Sequence, residues 1–174
     1  RGGTGRNRIQ RLSQERADLG RPNTLPMNAS SAVFTLAASD RIDQMQALIT
    51  GPEDTPYTCG CYVFDIFFPF DYPGGPPKVN LQTTGRGTVR FNPNLYKCGK
   101  VCLSLLGTWA GGKGEGWDSQ SSTLLQVLVS IQALILVEKP YFNEPSFEKS
   151  MGTTSGEQEA RKYDVHVREA NLRW

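Results

Sequence analysis

The spacing of apolar residues changes along this chain, and each change predicts a different element. From Asn7 to Leu19 the apolar residues fall at Ile9, Leu12, Ala17 and Leu19 among charged ones, the spacing of an amphipathic helix, which Gly20 and Pro22 stop. Four short runs rich in β-branched and aromatic residues follow: Ala32–Ala37, Met45–Thr50, Tyr62–Phe68 and Lys78–Gln82. The linkers between them hold turn residues, Gly51-Pro52, Thr55-Pro56 and Pro73-Gly74-Gly75-Pro76-Pro77. Four short strands in sequence joined by tight turns predict an antiparallel meander. After Leu81 the pattern lapses for about 40 residues, a length that in a compact domain marks a functional segment. Helical spacing resumes with Ser121 or Ser122 as N-cap and Leu124, Leu125, Leu128, Ile131, Ile135 and Leu136 behind it. Being apolar nearly all round, this helix is expected at the centre of the fold, with Pro140 ending it. Lys139–Pro145 reads as a loop, and the charged stretch Glu157–Trp174 as a final helix. The class is α+β, one sheet packed on helices.

Composition narrows the function. The chain has 174 residues, 38% of them apolar, which fits one domain with one core. A net charge of +2 gives no case for nucleic acid. The longest apolar stretch, Leu124–Val137, is broken by Gln126, Ser130 and Gln132, and no membrane span is expected. Residues 1–5 are glycine-rich and read as a disordered tail, leaving 6–174 as the domain with an extended C-terminal helix. The first residues carry no signal peptide and no initiator Met, so a fragment of a longer chain is expected. Arg6, Arg8, Arg11 and Arg16 read first as a solvated helix face and second as a partner-binding one.

Four cysteines stand at 59, 61, 98 and 102. Their C-x-C and C-x-x-x-C spacings match no common zinc pattern, one histidine (His166) is too few for a mixed site, and nothing suggests disulfides, so no metal or cofactor is expected. Free thiols in a reducing, cytoplasmic setting are the expectation, with nuclear or membrane-peripheral placement open through the rest of a parent chain. Cys102, in Gly-Lys-Val-Cys-Leu-Ser-Leu-Leu, is the candidate nucleophile, because a thiolate attacks and carries acyl groups well. A Cys-His hydrolase is disfavoured, since His166 lies in the charged C-terminal stretch. A thiol that exchanges thioesters needs no built-in base. Asn94, eight residues before Cys102, can donate to an oxyanion, a role whose loss costs about 10²–10³ in rate; on spacing alone it reads as a turn residue after Pro93.

The segments Gly51-Pro-Glu-Asp-Thr-Pro-Tyr57, Phe68-Pro-Phe-Asp-Tyr-Pro73, Pro76-Pro77-Lys-Val, Asn92-Pro-Asn94 and Gly99-Lys-Val-Cys-Leu103, in that order, resemble the ubiquitin-conjugating enzyme family over roughly Ile9 to Pro145. Gly99–Trp109, Leu125–Gln132 and Lys139–Pro145 make the chain similar to the large atypical, BRUCE/apollon-like conjugating enzymes, whose conjugating domain lies toward the end of a longer chain. The resemblance implies the conjugating-enzyme (UBC) fold, a four-stranded antiparallel sheet flanked by an N-terminal helix, a central buried helix and C-terminal helices. It implies that Cys102 accepts ubiquitin as a thioester from the activating enzyme, which spends the ATP, and passes it to a lysine of a substrate protein. It implies that Asn94 holds the oxyanion or the loop, and that Asn143 and Glu144, after the central helix, orient the incoming lysine. That lysine must shed a proton with a free pKa of about 10.4. Read from the residues alone, Glu144 is equally a surface loop acid. The alternative for the whole chain is a catalytically inactive relative that only binds ubiquitin or a partner.

Three departures from the family stand out. Asn92 replaces the usual histidine of His-Pro-Asn. Gly74 stands where many members carry a ligase-docking aromatic, whose burial is worth about 1.5–3 kcal/mol; the expected substitutes are ligase parts of the same parent chain or direct action without a ligase. Gly111-Gly-Lys-Gly-Glu-Gly116 lengthens the segment after Cys102, and reads first as a tolerated surface loop and second as a gate or substrate contact. Cys59 and Cys61 read as small packing residues, Cys98 as an exposed thiol, Tyr57, Phe64, Phe68 and Tyr72 as core aromatics, and Trp109 and Trp117 as pins for the long loop.

Overall fold

A computed structural model describes residues 3–174. Helix α1 spans Gly3–Leu19. Four strands follow, β1 (Val33–Ala37), β2 (Gln44–Thr50), β3 (Cys61–Phe67) and β4 (Lys78–Leu81), in one antiparallel sheet of order β1-β2-β3-β4. The sheet is the meander that the strand runs predict. Its register follows from alternation: Met45, Ala47 and Ile49 of β2 point to the same face as Tyr62, Phe64 and Ile66 of β3, and all six are buried. Leu36 and Phe34 of β1 lie on the open face and are exposed. Of the tail expected at 1–5, residues 1 and 2 lie outside the described residues, and Gly3–Gly5 form the first turn of α1, where no proline blocks the helix from starting early.

The central helix α2 spans Leu124–Ser130 and continues as one wide π turn, Ile131–Ile135. Its N-cap is Thr123, not Ser121 or Ser122. The Thr123 hydroxyl accepts from Gln126 N (3.2 Å) and the Gln126 side chain accepts from Thr123 N (3.1 Å), a reciprocal box that neither serine can form. Leu124, Val127, Leu128, Ile131 and Ile135 are buried, as a central helix requires, but Val129 and Leu134 are exposed on its far side. The stretch Lys139–Pro145 is not a plain loop: a 3₁₀ turn (Pro140–Asn143) runs into the one-turn α3 (Pro145–Glu148). Helix α4, Thr154–Arg173, closes the chain, and Asn171 fastens it to the turn before β3 by donating to Tyr57 O (3.2 Å) and Thr58 O (3.0 Å) and accepting from the Tyr62 hydroxyl (2.8 Å). Among the described residues no helix is long and apolar enough to cross a membrane.

Helix α1 buries Leu12, Glu15 and Leu19, whereas Ile9 and Ala17 face solvent. The buried carboxylate is fully engaged: Glu15 accepts from Arg11 Nε (3.0 Å), the Tyr72 hydroxyl (2.6 Å) and Leu124 N (3.1 Å). It therefore ties α1 to the turn after β3 and to the start of α2. The arginines of this helix are also turned inward. Arg8 donates to Phe68 O (2.7 Å) and Pro69 O (3.0 Å), Arg16 to Ala38 O (3.0 Å), and Arg11 to Ser122 O, which leaves Arg6 as the solvated one. Glu15→Ala strands three donors at once, one of them a backbone N–H in the interior. A loss of about 3 kcal/mol is expected, read as a lower urea midpoint at unchanged slope.

Candidate active site

The long segment after β4 is hung on the sheet edge by short bridges. Lys100 pairs with Asn80, Val101 with Leu95, and Leu95 with Asn92. Gly99 makes the first of these contacts possible: its φ is +87°, and a Cβ there would lie 2.4 Å from the Asn80 side chain and 2.6 Å from Leu81 O. Cys102 follows three residues later, 2% exposed. Two bonds couple it to Asn94: Cys102 N donates to Asn94 O (2.8 Å), and Asn94 Nδ2 donates to Cys102 O (3.0 Å). Beyond Cys102 the chain makes a 3₁₀ turn (Ser104–Leu106), closed by the Thr108 hydroxyl, which accepts from Leu103 N (3.0 Å) and donates to Val101 O (2.7 Å).

Cys102 lies against a cleft of about 310 Å³, which Asn94, Trp109, Leu134, Asn143, Glu115 and Glu148 help to line. Of the residues singled out from sequence, Cys102, Asn94 and Asn143 meet here. Glu144 does not line this cleft. Its carboxylate pairs with Arg90 (3.5 Å) beside an adjoining cavity of about 240 Å³, lined also by Pro93, Tyr141 and His166. Sequence reasoning missed Glu115 and Glu148. The only signal available was that Glu115 belongs to the insert nearest the nucleophile, and nothing in the sequence shows that insert folding back.

Asn92 explains how the site stands without the family's histidine. It is fully buried, and its amide is used completely. Nδ2 donates to the Tyr57 hydroxyl (2.9 Å) and to Ile135 O (2.7 Å), while Oδ1 accepts from Asn94 N (2.7 Å) and from Asn143 Nδ2 (3.4 Å). Asn143 Nδ2 also donates to Leu134 O (3.0 Å). The two asparagines thus satisfy carbonyls that the end of the central helix leaves open, and lock the Asn94 loop to that helix. Asn143 accordingly holds the cleft together as well as lining it. Asn94 Oδ1 is buried and has no hydrogen-bond partner among the described residues.

Burial pushes the Cys102 thiol above its ordinary pKa; Lys100 and Arg90 pull it down, and Cys98 and Glu144 push it up further. A thiol so placed is mostly protonated at neutral pH. It suits exchange with an acyl group that arrives activated better than attack on an unactivated bond. Cys59, Cys61 and Cys98 are all exposed, so Cys59 and Cys61 are not the packing residues expected of them: β3 begins at Cys61 at the rim of the sheet, where the interior is already filled by Tyr57 and Tyr62. Brief treatment with iodoacetamide at neutral pH is expected to label these three before Cys102. Cys102 labelling should rise about tenfold per pH unit until the pH passes the ordinary thiol range near 8.5. Peptide mapping by mass spectrometry reads both; Cys102 reacting first at neutral pH would contradict a thiol shielded and raised by burial.

Known proteins place this geometry. The family model described as ubiquitin-conjugating enzyme matches residues 11–171. A human protein named dual E2 ubiquitin-conjugating enzyme/E3 ubiquitin-protein ligase BIRC6 is 56% identical over 167 residues, 96% of this chain and 3% of its own length. A Caenorhabditis elegans protein named probable ubiquitin-conjugating enzyme protein 17 is 50% identical over 169 residues, 97% of this chain and 23% of its own. An Arabidopsis thaliana protein named putative ubiquitin-conjugating enzyme E2 39 is 54% identical over 143 residues, 82% of this chain and 44% of its own. The chain spans less than half the length of each. A match of this extent, on a four-stranded meander whose buried cysteine sits in the long segment before the central helix, leaves one assignment: the chain belongs to the ubiquitin-conjugating enzyme family.

Proposed function

We propose that the chain carries ubiquitin as a thioester on Cys102 and transfers it to a lysine of a substrate protein. The observation that carries this reading is the pairing of Cys102 with Asn94 at the edge of an open cleft. The sulfur is the one thiol in contact with that cleft among the described residues, and Asn94 Nδ2 uses one of its two N–H donors on Cys102 O. The second N–H is free to meet the oxyanion that forms when an amine adds to the thioester carbonyl. Ubiquitin comes from the activating enzyme, which uses the ATP; the chain itself needs no cofactor.

The ligase is expected to dock differently from the family habit. The Gly74 turn has no room for a side chain: a Cβ there would lie 2.8 Å from Asp71 O, in the turn closed by Gly74 N donating to that same carbonyl at 2.6 Å. An aromatic anchor is therefore excluded by the backbone as well as missing from the sequence. The dual E2/E3 naming of the human relative supports a ligase region supplied by the rest of a longer chain.

The test is a charging reaction with ubiquitin, activating enzyme and ATP, run on gels with and without reductant. A band heavier by one ubiquitin that disappears with reductant is expected. No band, while a control conjugating enzyme charges normally, would sink the carrier reading in favour of a non-catalytic binding module.

A further inference from the structure

The cleft beside Cys102 is walled by two carboxylates, Glu115 and Glu148, and among the described residues no basic side chain lines it. They come from different elements, the glycine-rich insert and the one-turn α3. The insert is folded, not merely tolerated. Glu115 Oε2 accepts from Gly112 N (2.8 Å), and Glu115 N donates to Gly112 O (3.2 Å). Gly111 packs so closely that a Cβ there would lie 2.6 Å from Ser104 Cβ and 2.8 Å from Glu115 Oε2. Ser104 opens the turn that follows Cys102, so this contact brings Glu115 to the nucleophile. Trp109, before the insert, lines the same cleft, and Trp117, after it, anchors the chain by donating from Nε1 to Pro73 O (2.7 Å). Glu144 lies outside this cleft and is paired with Arg90 (3.5 Å).

We propose that Glu115 and Glu148 receive the ammonium of the attacking lysine, so that the insert selects a cationic acceptor for the thioester on Cys102. The proposal rests on the carrier reading above. A second observation points the same way: Asn94, in the same cleft, keeps a buried carbonyl oxygen with no donor among the described residues, a ready acceptor for an N–H of an arriving amine. The two carboxylates favour the charged form of lysine and so raise its pKa; their effect is on how much acceptor is bound, not on easing its deprotonation. In the step itself the ammonium first gives one proton to solvent. The amine nitrogen then adds to the thioester carbon, forming the C–N bond and the oxyanion; as the oxyanion re-forms the carbonyl the C–S bond breaks, and the second nitrogen proton ends on the departing Cys102 sulfur.

The experiment charges wild type, E115Q, E148Q and the double variant with ubiquitin, then follows discharge per charged molecule onto free lysine and onto hydroxylamine, which is uncharged at neutral pH. The lysine-to-hydroxylamine rate ratio is expected to fall about fivefold in each single variant, through a higher KM for lysine. E115D, which keeps the charge, should recover most of it, and added salt should lower the wild-type ratio toward that of the variants. Gly111→Ala, which displaces Glu115 without removing it, should lower the ratio as E115Q does. An unchanged ratio in the double variant overturns the proposal, and so does an equal fall for both nucleophiles, which would mark the glutamates as structural. A wild-type chain that takes no ubiquitin on Cys102 would instead overturn the carrier reading, and this proposal with it.

Discussion

Cys102→Ser is expected to form an adduct with ubiquitin that survives reductant and is cleaved by mild base, whereas Cys102→Ala forms none. The reasoning begins with what sulfur provides. A thiol exchanges with an incoming thioester at nearly equal energy, and the product stays reactive toward amines because the thiolate is a good leaving group. An alcohol in the same place can still be acylated, but its ester resists both thiols and amines. The substitution is close in size, and at 2% exposure the site has no room for a large change. The decisive comparison is among the four thiols. Cys59, Cys61 and Cys98 are more exposed than Cys102, so accidental loading would fall on them first. If Cys102→Ala still gave a reductant-sensitive band, one of those three would be the carrier and the cleft beside Asn94 would be irrelevant. Loss of the band in Cys102→Ala, with a stable one in Cys102→Ser, leaves only Cys102.

Much of the fold was legible because local pattern and burial agree. In β2 and β3 every second residue enters the core, and the β-branched and aromatic side chains that fill it mark both strands in the sequence to within a residue. Helix α1 was also located, but its inward face was not. A carboxylate scores as solvent-facing in any periodicity argument, and what buries Glu15 is supplied by Tyr72 and Leu124, distant in the chain. The N-cap of α2 was misplaced for a related reason: three hydroxyl residues stand in a row, and only the pairing of Thr123 with Gln126 distinguishes them. The site divides in the same way. Cys102 and Asn94 can be singled out as candidates because the motifs that hold them are local, and the structure places them on one cleft. The fate of Glu144 depended on Arg90, and the arrival of Glu115 on the contact between Gly111 and Ser104. Such contacts come from how loops pack, which residue spacing does not encode. Asn92 is the intermediate case. Its place in Asn92-Pro93-Asn94 is plain in the sequence, but its role becomes visible only with Tyr57, Ile135 and Asn143 around it.

Asn94→Ala is expected to slow discharge of charged Cys102 onto free lysine by about 10²–10³, while the variant still acquires ubiquitin over a long incubation. Two effects are combined in this residue, and they can be separated. One is structural: Nδ2 holds Cys102 O at 3.0 Å, and removing it leaves a carbonyl in the interior without that donor, worth about 1–3 kcal/mol. For a domain of this size that lowers the melting temperature by about 2–4 °C per kcal/mol. The other is electrostatic and exists only while the carbonyl oxygen bears charge, so it appears in the rate and not in the melting temperature. Asn94→Asp separates the two further. It keeps the shape, but sets an acceptor-only carboxylate against Cys102 O and against the developing oxyanion, so its rate loss should equal or exceed that of the alanine variant. If loop support were the whole role, a second substitution that restores melting temperature elsewhere in the domain would also restore the rate. A discharge defect that persists in such a restabilised Asn94→Ala chain, with hydroxylamine and lysine equally affected, would place the amide at the oxyanion. A rate close to wild type would confine Asn94 to holding the loop, and the oxyanion would then need another donor.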